Sequence, residues 1–143
     1  MKLGSKSFYG LLALAELVQG YREHRPMQVR EIAQRNQIPE EYLGQIMVSL
    51  KRSRLVHASR GPGGGYFLSR PPETITVGEV VRLLDGPLTG VELTQRNQLP
   101  SSIVARKIRD TWARGVEALE KALEEITLAD LSRAEEMPHM YYI

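Results

Sequence analysis

Cysteine is absent from the 143 residues of this chain. That absence removes disulfides, thiolate-bound zinc and cysteine-ligated iron–sulfur clusters together. Long apolar runs are missing as well. No stretch approaches the roughly 18 residues needed to cross a bilayer. The opening Met1-Lys2-Leu3-Gly4-Ser5-Lys6 has no apolar signal segment and no small-residue cleavage site. The expected location is therefore the cytoplasm, with no membrane partner. Catalytic signatures are also lacking: there is no Gly-x-Ser-x-Gly elbow and no Ser–His–Asp order. His24, His57 and His139 are scattered without metal-ligand spacing. The pairs Glu124-Glu125 and Glu135-Glu136 suit a solvated helix surface. Neither an enzyme nor a cofactor- or metal-binding protein is expected.

What the chain does contain is enough for one domain with a real core. Its small net charge hides an asymmetry. Residues 1–70 carry 11 Lys+Arg against 5 Asp+Glu, and residues 71–143 carry 8 against 12. A basic front and an acidic back suit a chain that touches a polyanion with one part only. Uneven charge alone also has a bland explanation, so the local patterns must decide.

Ser7 to Gln19 has helical period, with Leu11, Leu14 and Leu17 adding bulk, and Gly20 to Pro26 breaks the pattern. Val29 to Asn36 predicts a short second helix. Gln37-Ile38-Pro39 predicts a turn, because Pro39 can open a helix but not continue one. From about Pro39 to Arg54 a third helix sets Leu43, Ile46, Met47 and Leu50 on one face. Glu41, Gln45, Ser49 and Arg52 lie opposite, with Val48 beside them. A short helix, a tight turn and a polar-faced second helix form the helix-turn-helix pattern, whose second helix reads bases.

Val56 to Ser59 and Tyr66 to Ser69 are short β patterns joined through Arg60 and Gly61-Pro62-Gly63-Gly64-Gly65. The glycines give a hairpin tip its backbone freedom. They form no phosphate cradle, since the Gly-Lys-Ser/Thr ending of a P-loop and the spacing of a dinucleotide fold are both missing. A basic helix followed by a glycine-tipped hairpin is the layout of a winged helix-turn-helix, and it points to DNA.

Pro71-Pro72 punctuates the chain. Thr76 and Glu79 read as a capping box opening a helix to about Asp85. Gly86 to Pro100 has no period and predicts a loop. Ser101 can cap a long helix to about Ile126. Along it Ile108, Trp112, Val116, Leu119 and Leu123 form a stripe like a coiled-coil seam. Such a stripe is too long to bury on a small winged domain, so pairing with a second subunit is expected, with packing inside the chain as the alternative. Thr127 to Ser132 predicts a last short helix, capped by Thr127 or Asp130, and the tail Met137 to Ile143 follows. The expected fold class is mainly α with a small β-hairpin wing: a winged helix-turn-helix plus a long C-terminal dimerisation helix. The expected domains are 1–86 for DNA binding, 87–100 as a loop, 101–126 as the dimerisation helix, and 127–143 as a short helix and tail.

These patterns in this order resemble the Rrf2 family of bacterial transcriptional regulators. The resemblance lies in Met1-Lys2-Leu3 with Lys6 and Tyr9, in Ile32-Ala33, and in Tyr42-Leu43 with Gln45. It is strongest over Arg60 to Tyr66 with Arg70-Pro71, and it extends through Thr76 to Gly86, Trp112 and Ile126 to Leu131. It implies a homodimer bound to an imperfect palindrome in double-stranded DNA, commonly as a repressor. It also implies that Pro39–Arg54 enters the major groove and that Arg60 reaches the minor groove. The chain departs from the family's pattern in two ways. Gly44 stands where many members have Glu between Leu and Gln, which removes an acidic base contact. Arg106 and Arg109 stand where cluster-binding members have a Cys and a His, and Phe8 where some place a carboxylate. The chain is similar to the cysteine-poor branch, whose members answer to a partner protein or another signal.

For DNA contacts the expected residues are Ser5 and Lys6 at the first helix, then Glu41, Tyr42, Gln45, Ser49, Lys51 and Arg52 on the third, and Arg60, Gly61, Gly63 and Gly64 at the hairpin tip. Gln45 suits adenine. Lys51, Arg52 and Arg54 suit phosphates or plain solvation. A guanidinium such as that of Arg60 suits a narrow minor groove. His57 suits a surface position or a phosphate contact. Two rival functions stay open: a winged helix used as a protein-interaction module, and a small-ligand sensor with its pocket under Leu88 to Pro100 beside Trp112. A regulatory protein partner or a small-molecule effector is compatible with DNA binding.

Overall fold

The protein is described here by a computed structural model covering residues 2–88 and 100–135. Most of the Gly86–Pro100 loop and the Met137–Ile143 tail lie outside the described residues. Helices α1 (Ser5–Glu23), α2 (Val29–Asn36) and α3 (Glu40–Arg52) are followed by the strands β1 (Val56–Ser59) and β2 (Gly65–Leu68). A 3-10 turn at Pro72–Thr74 then leads to α4 (Val77–Asp85), α5 (Ile103–Glu124) and α6 (Leu128–Ser132). This is a mainly helical winged helix-turn-helix with a two-stranded wing and a long helix near its C-terminal end.

The core gathers around α1. Leu14, Leu17 and Val18 meet Ile32 from α2, and Leu43, Ile46, Met47 and Leu50 from α3. Leu55, Val56 and Leu68 close it from the wing side, and Ile75, Val80 and Leu128 from the other. Leu128 is fully buried although the long helix separates it from the rest in sequence. Backbone pairing explains its return. Val77 N–H donates to the Ile126 carbonyl at 2.8 Å, and Leu128 N–H donates to the Ile75 carbonyl at 2.9 Å. These bonds flank a bridge between Thr76 and Thr127, so the start of α4 and the start of α6 are tied together.

Three local expectations meet a different outcome. The cap of α5 is Ser102 rather than Ser101, the Ser102 hydroxyl accepting from Ala105 N–H at 3.1 Å. The first helix does not stop at Gly20 but runs on to Glu23. Gly20 is there because the chain doubles back over it: a Cβ at Gly20 would lie 2.7 Å from the Arg25 carbonyl oxygen. The Thr76–Glu79 box is half formed. Thr76 Oγ accepts from Glu79 N–H at 3.1 Å, but the Glu79 carboxylate is engaged by Arg70. The full reciprocal box is at α6, where Asp130 N–H donates to Thr127 Oγ and Thr127 N–H donates to the Asp130 carboxylate.

Candidate nucleic-acid interface

α3 is amphipathic in the way its sequence requires. Leu43, Ile46, Met47 and Leu50 are fully buried, which pins the helix and turns the opposite face outward. Glu41, Gln45, Val48, Lys51 and Arg52 are exposed on the outer side, and Ser49 is half-buried. Ser49 Oγ donates to the Gln45 carbonyl at 3.4 Å, which leaves its lone pairs open. Glu40 and Glu41 in the first turn and Lys51 and Arg52 in the last complement the helix dipole. Val48 had no assigned role in the sequence pattern. Its exposure on the outward face gives that face an apolar spot, the kind that suits a thymine methyl group.

The entry to α3 is braced against α1. Gln37 adopts a left-handed conformation at the end of α2 (φ 55°), Ile38 turns inward, and Pro39 occupies the N-cap. The Tyr42 ring meets the Tyr9 ring edge-on with centroids 5.8 Å apart, and its hydroxyl lies 3.4 Å from Ser5 Oγ. Ser5 and Tyr42 therefore share one corner, where the N-terminus of α1 meets the first turn of α3. Lys6, next to Ser5, is half-buried.

The wing is a short antiparallel ladder from Val56↔Leu68 to Ser59↔Gly65. Arg60, Gly61, Pro62 and Gly63 form its exposed tip. Gly61 sits at φ 102°, and its carbonyl accepts from Gly64 N–H at 2.9 Å to close the turn. A side chain on Gly64 would collide with the Ser59 carbonyl, whereas Gly61 and Gly63 face open space. Met27 holds the base of the wing to the body through a reciprocal backbone pair with Tyr66, at 3.0 and 2.8 Å. Nothing in the pattern around Met27 signalled this pairing, because a two-residue bridge has no periodicity. His57 stacks on Phe67 with centroids 5.2 Å apart, and its Nδ1 lies 3.3 Å from Ser69 Oγ, so it is engaged within the wing.

The arginines divide by their partners. Arg25, Arg35, Arg70, Arg82 and Arg133 each meet a carboxylate. Among the described residues, Lys51, Arg52 and Arg60 meet none. Their charge is offered to solvent, as a phosphate-facing surface needs. The perturbed carboxylates lie elsewhere. Arg82 and then the Thr76 hydroxyl hold Glu124 below the usual carboxylate range. The backbone N–H and then the hydroxyl of Thr127 do the same for Asp130.

α5 is nearly all surface. Ile103 is 78%, Ile108 60% and Trp112 46% exposed, and Val116 is the helix's buried residue at 8%. Leu119 is exposed and Leu123 half-buried. The expected stripe is thus split: Val116 is buried and Leu123 half-buried, while Ile108, Trp112 and Leu119 are exposed. Among the described residues no helix is long and apolar enough to cross a membrane. A groove of about 710 Å³ runs along α1 from Leu3 and Phe8 to Arg22, walled by Arg35 and Leu131. Trp112 does not line it.

A family model described as Rrf2, iron-dependent transcriptional regulator, matches residues 3–134. The HTH-type transcriptional regulator CymR of Bacillus subtilis (strain 168) is 35% identical over 146 residues, which span 100% of this chain and 100% of that protein. The solved structure of B. subtilis CymR, described as a global cysteine regulator, superposes with a TM-score of 0.78 at 34% identity, covering 92% of this chain and 96% of that one. The structure of T. potens IscR superposes with a TM-score of 0.77 at 30% identity, covering 99% and 97%. The iron named in the family description requires thiolate, imidazole or carboxylate donors gathered at one point. This chain has no cysteine. Among the described residues no three of His, Asp and Glu come together as a metal site. The described residues do not fit an iron centre.

Proposed function

Because this chain belongs to the Rrf2 family of transcriptional regulators, we propose that it binds a palindromic promoter site as a homodimer and represses transcription there, within the cytoplasm. The protein is a DNA-binding transcriptional regulator, and its family consists of regulators rather than enzymes. Residues 1–86 supply the DNA contacts and residues 101–126 the dimer contact, with α6 (Leu128–Ser132) returning to the winged body. α3 lies in the major groove, where Gln45 and Ser49 meet base edges and Glu41, Tyr42 and Val48 shape the fit. Lys51, Arg52, Ser5 and Lys6 meet phosphates. The wing tip, Arg60 with Gly61, Gly63 and Gly64, enters the minor groove.

The observation that carries this proposal is the pairing of an outward polar face on α3 with an unpaired arginine at a glycine-built tip. The deciding experiment is a binding assay with DNA from upstream of the protein's own gene, against a scrambled control at two salt concentrations. Tight sequence-specific binding that weakens steeply with salt is expected. Arg60→Ala should cost about 1–3 kcal/mol, mostly at A/T-rich flanks, while Lys51→Ala weakens all sequences alike. Identical sequence profiles for the two variants would refute the assigned roles. The groove along α1, with Arg22 at its far end, favours a second reading in which a small effector modulates the same regulator. Effector-induced release of DNA, lost on filling the groove with Ala15→Phe, would support it.

A further inference from the structure

Resting on the homodimer reading above, we infer that Glu124 is a positioning residue. Seated on α4 by Thr76, Gly78 and Arg82, it fixes the direction in which α5 leaves the winged body, and so the separation of half-sites that the dimer accepts. Among the described residues, α4 is the chief element against which α5 packs. The C-terminal end of α5 is held twice. The backbone bonds of Val77 with Ile126 and of Leu128 with Ile75 fix a point just beyond the helix. A point alone lets a helix swing, and the one buried residue of α5, Val116, does not set an angle by itself. Glu124, the last residue of α5, adds the hold that stops the swing.

The seat engages both oxygens of the carboxylate. Thr76 Oγ donates to Glu124 Oε2 at 2.9 Å and accepts from Glu79 N–H at 3.1 Å. Arg82 Nη1 meets the other oxygen, Oε1. Gly78 leaves the room: a Cβ there would collide with the Glu124 carboxyl group. Half-exposed ion pairs add little to stability, so stability is a poor reason for three residues to converge on one carboxylate. A two-point hydrogen-bonded seat does fix a direction.

The same helix is tied to the DNA-reading surface. Glu79 accepts from Arg70, which follows the wing. The Asp85 carboxylate accepts from Gly4 N–H at 3.1 Å, beside Ser5 and Lys6 at the start of α1. Glu79, Arg82 and Asp85 follow one another at every third position, and each reaches a different element. α4 is thereby a strut between α5 and the outer DNA contacts. The lever is long. The 22 residues of α5 span about 33 Å, so a tilt of about 10° at one end moves the other by about 6 Å. Neighbouring base pairs lie roughly 3.4 Å apart and are turned by roughly 35°. Loss of the seat therefore blurs register by more than one base pair.

The test uses the full-length protein and the palindrome it selects from random duplexes. That palindrome is compared with versions that have one or two base pairs added or removed at the centre, and with a single half-site. Wild-type binding should fall about tenfold or more for a one-base-pair change, because misplaced half-sites cannot be engaged together. Gly78→Ala displaces the carboxylate without removing a charge or a hydrogen-bonding group. Gly78→Ala and Arg82→Gln should each cut the penalty to about threefold or less, with single half-site affinity unchanged. Exchanging the pair, Arg82→Glu with Glu124→Arg, should restore the penalty. Gly78→Ala should also hold or raise Tm, since alanine is the better helix former. Variants that keep the wild-type spacing profile, or that lose half-site and palindrome affinity equally, would overturn the role of Glu124. So would a wild-type dimer indifferent to spacing. A wild-type monomer by light scattering would instead sink the homodimer reading beneath it.

Discussion

Helices α3 and α5 are written in the same code, an apolar stripe at helical period with charge on the other side, and they end in opposite situations. Four large residues of α3 are completely buried, whereas α5, nine residues longer (22 against 13), buries Val116 alone. The apolar face of α3 is satisfied by α1, α2 and the wing within one chain. Among the described residues nothing covers the corresponding face of α5. An amphipathic pattern therefore establishes that a helix needs cover but not where the cover comes from.

The largest effect should come from breaking the satisfied helix. Leu50→Ala removes a fully buried side chain from the centre of the core and is expected to cost about 2–5 kcal/mol in denaturant unfolding. Ile108→Ala on the open helix should leave unfolding of the isolated subunit almost unchanged and act on subunit affinity instead, seen as a concentration-dependent loss of dimer by light scattering. If both variants change monomer stability equally, the contrast between the helices fails.

A smaller effect sharpens the attachment of the long helix. Thr127→Ala deletes the cap that starts α6 and should lower stability by about 1 kcal/mol, with α5 loosening from α4 in hydrogen exchange. A change of similar size and opposite sign is expected at Gly44. A Cβ there meets nothing within 4 Å, so Gly44→Ala should gain up to about 1 kcal/mol from helix propensity, read as a raised Tm. If Gly44→Ala also alters DNA sequence preference, that residue shapes the major-groove face as well as weakening the helix.

The smallest effect is electrostatic. Glu124 and Asp130 have folded-state pKa values below their ordinary ones, Glu124 chiefly through Arg82 and Asp130 through the Thr127 backbone. Groups shifted in that direction stabilise the fold above the ordinary carboxylate range, near pH 4, and lose that contribution as pH falls through the lowered values. Acid titration should loosen α6 and the C-terminal end of α5 before α3, and Thr127→Ala should flatten the Asp130 part of the response. Loss of α3 first would contradict that order.

Much of the winged body was legible because its signals are local. The boundaries of α2 and β1, the buried face of α3, the turn at Pro39 and the hairpin tip each follow from periodicity, proline or glycine within a few residues. The parts that escaped are all made by residues far apart. Gly20 reads as a break until the Arg25 carbonyl is seen lying over it. Glu79 reads as the second half of a capping box until Arg70 takes its carboxylate. Met27 has no sequence mark of its pairing with Tyr66. At the candidate interface, the residue types were visible on α3 and at the tip. The alignment of Ser5 with Tyr42 and the exposure of Val48 needed the packed structure.

The sequence by itself determined the helical and hairpin segments, the polar face of α3, the arginine at the tip and the exclusion of thiolate chemistry. Those depend on backbone preference, side-chain period and the presence or absence of an atom type. The tertiary structure alone decided that α6 returns to the core, that Val116 and Leu123 lose solvent, and that Ile108, Trp112 and Leu119 stay exposed. Burial is a property of pairs of surfaces, and which face of a stripe remains uncovered is known only after the other elements have packed.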